Sequence, residues 1–353
     1  MRFDQLLSAD DLTLKASSPA PARRLSHINS TGTYRQWADQ ARQRAFDLIG
    51  VPARTADPSG EIIRTISTGD VATAVIRLTI DDNLSLPGYL SWPNEQEAPS
   101  HRVVLALHGH GQVEACLNID GVTEDYHHQF SHRLAERGQT VFTPELRGFG
   151  ALYDLAAHEP QARLRYWHWG QPMAYTLQTD AFIHGRTLMG DTIHDLLAWE
   201  DWLGHHFEID AIDVAGISWG GDLACSYPLY SRRVRSIFAS GTLGSFTHTF
   251  RVSGNAPAHC IPGILPWLDR SDIAGLNAPT PIAIHYGEND TPRPGNDSAS
   301  YNETAIDAFA ELQSIYAAAG GPEPELIISA GLAHEMDIDA LAAWIRHQQT
   351  PPH

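Results

Sequence analysis

From His101 onward the chain alternates short apolar runs with longer helical stretches, and this alternation restricts the fold more than any other feature. The runs are Val103–Leu107, Thr140–Thr143, Ile212–Ala215, Ser236–Ala239, Pro281–Ile284 and Leu326–Ile328. Each is three to five residues of mostly Val, Ile, Leu, Ala or Phe with no polar alternation, as expected for strands buried on both faces. Helices are expected at 125–137, 186–203, 222–229, 302–319 and 337–348. Strand–helix–strand repetition of this kind builds a mostly parallel sheet with helices on both faces. Upstream, Ile62–Ser67, Ala72–Ile80 and Gly88–Trp92 read as further strands, with turns at Asp81-Asp82-Asn83 and Pro87-Gly88. A helix from Tyr34 to Ile49, stopped by Gly50, precedes them.

The 353 residues suffice for one large α/β domain with elaborations, or for two small domains. The expected division is a helical extension over 1–60 and a main domain over 61–353. Two long connections, at about 151–185 and 242–277, read as lid-like insertions. No apolar run approaches the roughly 18–20 residues that span a bilayer. The first residues lack the basic-then-apolar layout of a signal peptide, so a cytoplasmic location is expected. With 24 basic and 42 acidic residues the net charge is −18, which argues against nucleic acid or an anionic membrane as partner. Three cysteines, Cys116, Cys225 and Cys260, are too few for a disulfide framework and lack zinc-site spacing.

One segment carries chemistry. Gly216-Ile217-Ser218-Trp219-Gly220-Gly221 follows the strand Ile212–Ala215 and opens a helical run. A G-x-S-x-G between strand and helix is a nucleophile elbow, a sharp turn that lifts a serine Oγ off the end of a sheet. A serine nucleophile needs a base, a group that orients the base, and donors for the oxyanion. Asp290 follows the strand Pro281–Ile284 in Gly287-Glu288-Asn289-Asp290, and His334 follows Leu326–Ile328 just before the last helix. Both therefore sit at strand ends, with Glu288 the nearest rival to Asp290. The oxyanion donors are assigned to the backbone N–H groups of Trp219, next after the serine, and of His110 in His108-Gly109-His110-Gly111 after the Val103–Leu107 strand. His108, Gly109 and Gly111 are expected to line the substrate beside His110. The pair His108-x-His110 is explained by this loop without invoking a metal.

Within the first long connection, Tyr166-Trp167-His168-Trp169 is an aromatic cluster. Tyr166, Trp167 and Trp169 form either a wall facing the substrate or an anchor that pins the loop. Arg147, in Glu145-Leu146-Arg147-Gly148-Phe149-Gly150, is expected to brace its loop. The remaining histidines, including His127-His128, His248 and His259, read as solvated or core residues.

Taken in order, His108-Gly109-His110-Gly111, Pro144 to Gly150, Asp195, Asp210, the Ser218 elbow, Ala278-Pro279-Thr280-Pro281 leading to Asp290, and His334 resemble the α/β-hydrolases of the dienelactone hydrolase and acetyl xylan esterase-like group. The resemblance covers about residues 60–348. It departs from the group's usual D-x-R-G-x-G by Glu145, and it places Trp219 where relatives often carry a smaller or polar residue. The resemblance implies an α/β-hydrolase fold with a mostly parallel eight-stranded sheet, a Ser218–His334–Asp290 triad, no metal or cofactor, and hydrolysis of small-molecule carboxylic esters. The same three residues also serve amide, peptide or carbon–carbon bond cleavage, and the fold has been reused for ligand binding without catalysis. Oligomeric state stays open.

Overall fold

The computed structural model describes residues 22–81, 84–96, 99–119, 125–149, 173–249, 257–290 and 304–350. Nine strands make one sheet: β1 (Ser59–Thr68), β2 (Val71–Asp81), β3 (Leu84–Pro93), β4 (Arg102–Leu107), β5 (Val141–Pro144), β6 (Ala211–Ile217), β7 (Val234–Ser240), β8 (Ile282–Gly287) and β9 (Glu325–Ser329). Their spatial order is β1-β2-β3-β5-β4-β6-β7-β8-β9. β1, β2 and β3 form an antiparallel meander that joins β5 antiparallel, and every pair from β5 to β9 is parallel. The sheet thus exceeds the expected eight strands by one. The reason is β1: its Ser59–Thr68 residues pair antiparallel with β2 from Thr79 to Val71 and extend the sheet by one strand.

Strand burial explains why the central runs show no polar alternation. In β4, Val103, Leu105 and Leu107 enter one core and Val104 and Ala106 the other, because successive side chains point to opposite faces. One face is covered by α1 (Tyr34–Ile49), α5 (Leu188–His206), α6 (Trp219–Ser226) and α9 (Ala305–Ala319). The other is covered by α3 (Phe130–Glu136) and α10 (Ile338–Gln349), which follow the short α2 (Glu114–Leu117) and the last strand respectively. Three further helices, α4 (Met173–Ile183), α7 (Phe246–His248) and α8 (Arg270–Gly275), lie in the long connections.

Helix α1 shows how the N-terminal region is attached. Thr33 and Gln36 form a capping box at its start, and Gly50 ends it at φ +67°. Trp37, Ala38, Ala41, Ala45 and Ile49 make a buried stripe at helical spacing. Thr187 Oγ1 donates to the Ile49 carbonyl at 2.6 Å, and the Arg42 guanidinium donates to the Leu276 carbonyl at 2.7 Å. The helix is therefore built into the same core as α5 and α8. Among the described residues, no helix is long and apolar enough to cross a membrane.

The register aligns the carboxyl ends of the parallel strands. Leu107 pairs with Gly216, Ile217 with Ser240, Ser240 with His285, and Gly287 with Ser329. All the chemistry-bearing segments named from the sequence leave the sheet at this one edge, the usual ligand face of an open parallel sheet.

Candidate active site

Ser218 sits between β6 and α6 with φ +58° and ψ −118°. A non-glycine residue adopts such angles only where its surroundings fix them. Here the Ser218 N–H donates to the Ser240 carbonyl at 2.9 Å, and the Ser218 carbonyl accepts from Gly221 and Asp222 at 2.9 and 3.1 Å. The turn closes because Gly216 has no side chain: a Cβ there would collide with the Gly220 carbonyl.

His334 and Asp290 meet beside this elbow. Their Nδ1···Oδ2 distance is 2.9 Å, with Asp290 almost fully buried and His334 mostly so. The rival carboxylate is used elsewhere: Glu288 accepts the Gly331 N–H at 3.0 Å. Gly241, immediately after Ser240, is the floor under the pair. A Cβ built on it would lie 2.7 Å from His334 Cε1 and 3.4 Å from Asp290 Oδ2. Since Ser240 also receives the Ser218 N–H, two adjacent residues at the end of β7 touch all three partners.

The loop after β4 approaches from the other side. A Cβ on Gly109 would lie 3.0 Å from Ser218 Cβ, so only glycine lets the backbone come this near the serine. His108 does not face the cleft as expected. It is fully buried, with Nδ1 2.8 Å from the Gly109 carbonyl and Nε2 accepting the Leu146 N–H at 3.1 Å. Its ring is committed to holding the backbone. Gly111 takes φ +130°. The His110 ring stacks on His259 at 5.6 Å between centroids and meets Phe149 edge-on at 4.9 Å. Trp219 is fully buried and packs edge-on against His259 at 5.0 Å. Tyr166, Trp167 and Trp169 lie outside the described residues.

Three features escaped the sequence reading. The first is Tyr126, whose hydroxyl donates to the His110 carbonyl at 2.6 Å and whose ring lies 5.6 Å from that of His334. The second is the Asp125–His127 pair, 2.8 Å apart, with His127 Nε2 accepting the Gly109 N–H at 2.9 Å. The third is a buried network on α6. Asp222 accepts from His259 Nδ1 at 2.5 Å, from Arg270 Nε and Nη2 at 3.1 and 3.2 Å, and from the Thr242 hydroxyl. Asp222 lies four residues after Ser218 on the elbow helix, a spacing that signals a shared face, but its partners come from a distant connection. Arg147 braces its loop by a bidentate pair with Asp195 on α5 at 2.8 and 2.6 Å.

Burial sets the protonation of this region. Desolvation pulls the His108 and His110 imidazoles down to about 3, helped by neighbouring histidines. His127 and His259 are also lowered by burial, although their aspartate partners oppose it. Burial alone would raise Asp222, but Arg270 and His259 outweigh it and hold the carboxyl at about 2. The site is therefore surrounded by neutral imidazoles and fixed carboxylates.

No family model and no curated protein matches the sequence. Solved structures do match. A Bacteroides fragilis protein described as an acetyl xylan esterase aligns with a TM-score of 0.71 at 13% identity, covering 90% of this chain and 89% of that one. A glucuronoyl esterase from Solibacter usitatus aligns at 0.63 and 14%, covering 95% and 98%. Acetyl xylan esterase 1 from Thermoanaerobacterium sp. aligns at 0.53 and 13%, covering 89% and 94%. Such likenesses establish architecture, and with the nine-stranded, mostly parallel sheet they show that this chain has the α/β-hydrolase fold.

Proposed function

We propose that the chain is a carboxylic ester hydrolase that works through an acyl-enzyme on Ser218. The observation that carries this reading is the convergence of three strand ends. Ser218 stands in a left-handed elbow, and one residue away from its backbone partner lies Gly241, in contact with the hydrogen-bonded His334–Asp290 pair. The fold neighbours named as esterases agree with it.

In this mechanism Ser218 Oγ attacks the ester carbonyl while His334 Nε2 takes its proton. Asp290 accepts the Nδ1–H, which fixes the tautomer that leaves Nε2 basic, and it stabilises the imidazolium that forms. The backbone N–H groups of Trp219 and His110 receive the oxyanion. His334 returns the proton to the departing alcohol, then deprotonates a water that attacks the acyl carbon, and hands that proton to Ser218 Oγ as the acyl–Oγ bond breaks and the acid leaves.

Release of p-nitrophenol from acetyl to octanoyl esters tests the reading. Wild type should turn over at least one of these esters. Ser218→Ala should abolish turnover, and Asp290→Asn should cut kcat by up to about 10⁴-fold with the fold intact. Equal rates in wild type and Ser218→Ala would reject the assignment of the nucleophile.

A further inference from the structure

We propose that His108, Tyr126 and the Asp125–His127 pair are positioning residues that aim the His110 backbone N–H at the reacting carbonyl. This rests on the ester hydrolase reading above and assigns side chains to the half of the oxyanion site that lies outside the elbow.

The argument follows the hydrogen bonds around two residues. The Gly109 N–H donates to His127 Nε2 at 2.9 Å. The Gly109 carbonyl lies 2.8 Å from His108 Nδ1. The His110 carbonyl accepts from the Tyr126 hydroxyl at 2.6 Å. Among the described residues, nothing accepts from the His110 N–H. Three of the four backbone polar groups are thus held by side chains, and the fourth is the one assigned to the oxyanion.

The tautomers of both histidines follow. His108 Nε2 accepts the Leu146 N–H, so its proton sits on Nδ1 and is donated to the Gly109 carbonyl. A trans peptide is planar, with its C=O and N–H opposed. Fixing the Gly109 carbonyl therefore fixes the His110 N–H in the opposite direction. His127 Nε2 likewise accepts, so its proton sits on Nδ1 and is donated to Asp125 Oδ1 at 2.8 Å. Asp125 thereby selects the tautomer that can receive Gly109.

The clamp also stands in the right place. Gly109 abuts Ser218 Cβ and the Ile217 carbonyl, and the Tyr126 ring neighbours that of His334. The Met336 N–H donates to the Tyr126 carbonyl at 3.0 Å, tying the same segment to the His334 loop. Residues 125–127 therefore set the distance between the donor and the base. A short loop held this way presents its N–H without reorganising during reaction, and such preorganised donors are the ones that lower barriers most.

Three variants test the clamp, read by kcat, KM, inhibition by an alkylboronic acid as a tetrahedral mimic, and thermal unfolding. His127→Phe fills the same space but offers Gly109 no acceptor. We expect kcat to fall about 10- to 100-fold with KM within about threefold, since a lost donor itself costs about 10²–10³. His127→Gln restores an acceptor and should recover most of that loss. Tyr126→Phe keeps the ring and removes the bond to the His110 carbonyl, and should lower kcat about tenfold. Boronate affinity should fall in step with kcat. Folded His127→Phe or Tyr126→Phe enzyme with unchanged kcat and boronate affinity would overturn the proposal. So would a drop in kcat that leaves boronate affinity untouched. Should His127→Phe fail to fold, Tyr126→Phe decides alone. If wild type is inert or Ser218→Ala remains active, the parent reading fails and the clamp fails with it. An active wild type with a dead Ser218→Ala confines any failure to the clamp.

Discussion

Gly241→Ala adds one methyl group at a position that takes no part in bond making, and it should nearly silence the enzyme. The new Cβ would stand 2.7 Å from His334 Cε1 and 2.9 Å from Nδ1. Carbon contacts are comfortable at about 3.5–4.0 Å, so roughly 1 Å of separation must be found. The backbone cannot supply it: the Gly241 N–H is bonded to the His285 carbonyl at 2.8 Å, and Ser240 before it holds Ser218. The imidazole is the part that moves, and it moves off Asp290. A misplacement of about 1 Å costs on the order of 10² in rate, so kcat should fall about 100-fold. The alanine also pays for its backbone at φ +58°, about 1–2 kcal/mol of stability. Gly69→Ala separates the two effects, because Gly69 has the same φ of +58° with nothing within 4 Å of the added Cβ. Both variants should unfold at lower temperature than wild type, and only Gly241→Ala should lose turnover of a p-nitrophenyl ester. A folded Gly241→Ala with kcat within about threefold of Gly69→Ala would refute the placement of His334 against β7.

Two further outcomes concern stability. Asp222→Ala removes the carboxylate that receives two guanidinium bonds from the buried Arg270 and one from His259; breaking such a pair should cost about 3–5 kcal/mol in urea unfolding, and a loss below about 1 kcal/mol would show that the network is incidental. Acid should weaken the fold well before carboxylates titrate. His108 and His110 are held down at about 3 and His285 at about 4, chiefly by burial, against about 6.5 when unfolded. The unfolded chain therefore binds the extra protons, so the stability is complete above about pH 6.5 and is lost as pH falls towards 4, roughly 2 kcal/mol per histidine by pH 5. A melting temperature that stays flat from pH 7 to 5 would contradict this.

What could be read from the sequence was whatever depends on neighbours along the chain. Val103–Leu107 declares a buried strand because every residue in it is apolar, and Ile212–Ala215 does so apart from Asp213, which the fold pairs with Arg102 and Ser236. Gly216 to Gly221 declares the elbow because its glycines answer a local steric demand. Asp290 and His334 were legible for a related reason, since each follows a strand whose end the register brings to the same edge. The extra strand was less so: Ile62 to Ser67 has the pattern of a strand, but only pairing with β2 decides whether it joins the sheet. The aspect missed was pairing across distance. Asp125, Tyr126 and His127 look like the start of a helix, and nothing near them in sequence reveals Gly109 or His110 as partners. His259 stands 37 residues from Asp222, and its connection carries no motif.

The many histidines gain meaning from this difference. Nineteen in a chain of net charge −18 read as scattered solvated or core residues when only composition is considered. In the fold, His108, His127, His259 and His285 are buried and His110 is half-buried around the Ser218 edge of the sheet, and desolvation keeps each one lowered. A neutral imidazole offers one donor and one acceptor on a rigid ring, which is what a loop needs if its carbonyls and N–H groups are to be held without water. It does this without adding charge. A lysine or arginine in the place of His108 could hold the Gly109 carbonyl but could not accept the Leu146 N–H, and in the place of His127 it could not accept the Gly109 N–H. Either would also lay a fixed positive charge beside the histidine proposed to accept a proton from Ser218, and oppose that transfer. Glutamine or asparagine would avoid the charge at the expense of a rigid ring. On the proposed mechanism the base becomes cationic, and His108 and His127 supply neutral, stiff, two-sided hydrogen-bonding groups beside it.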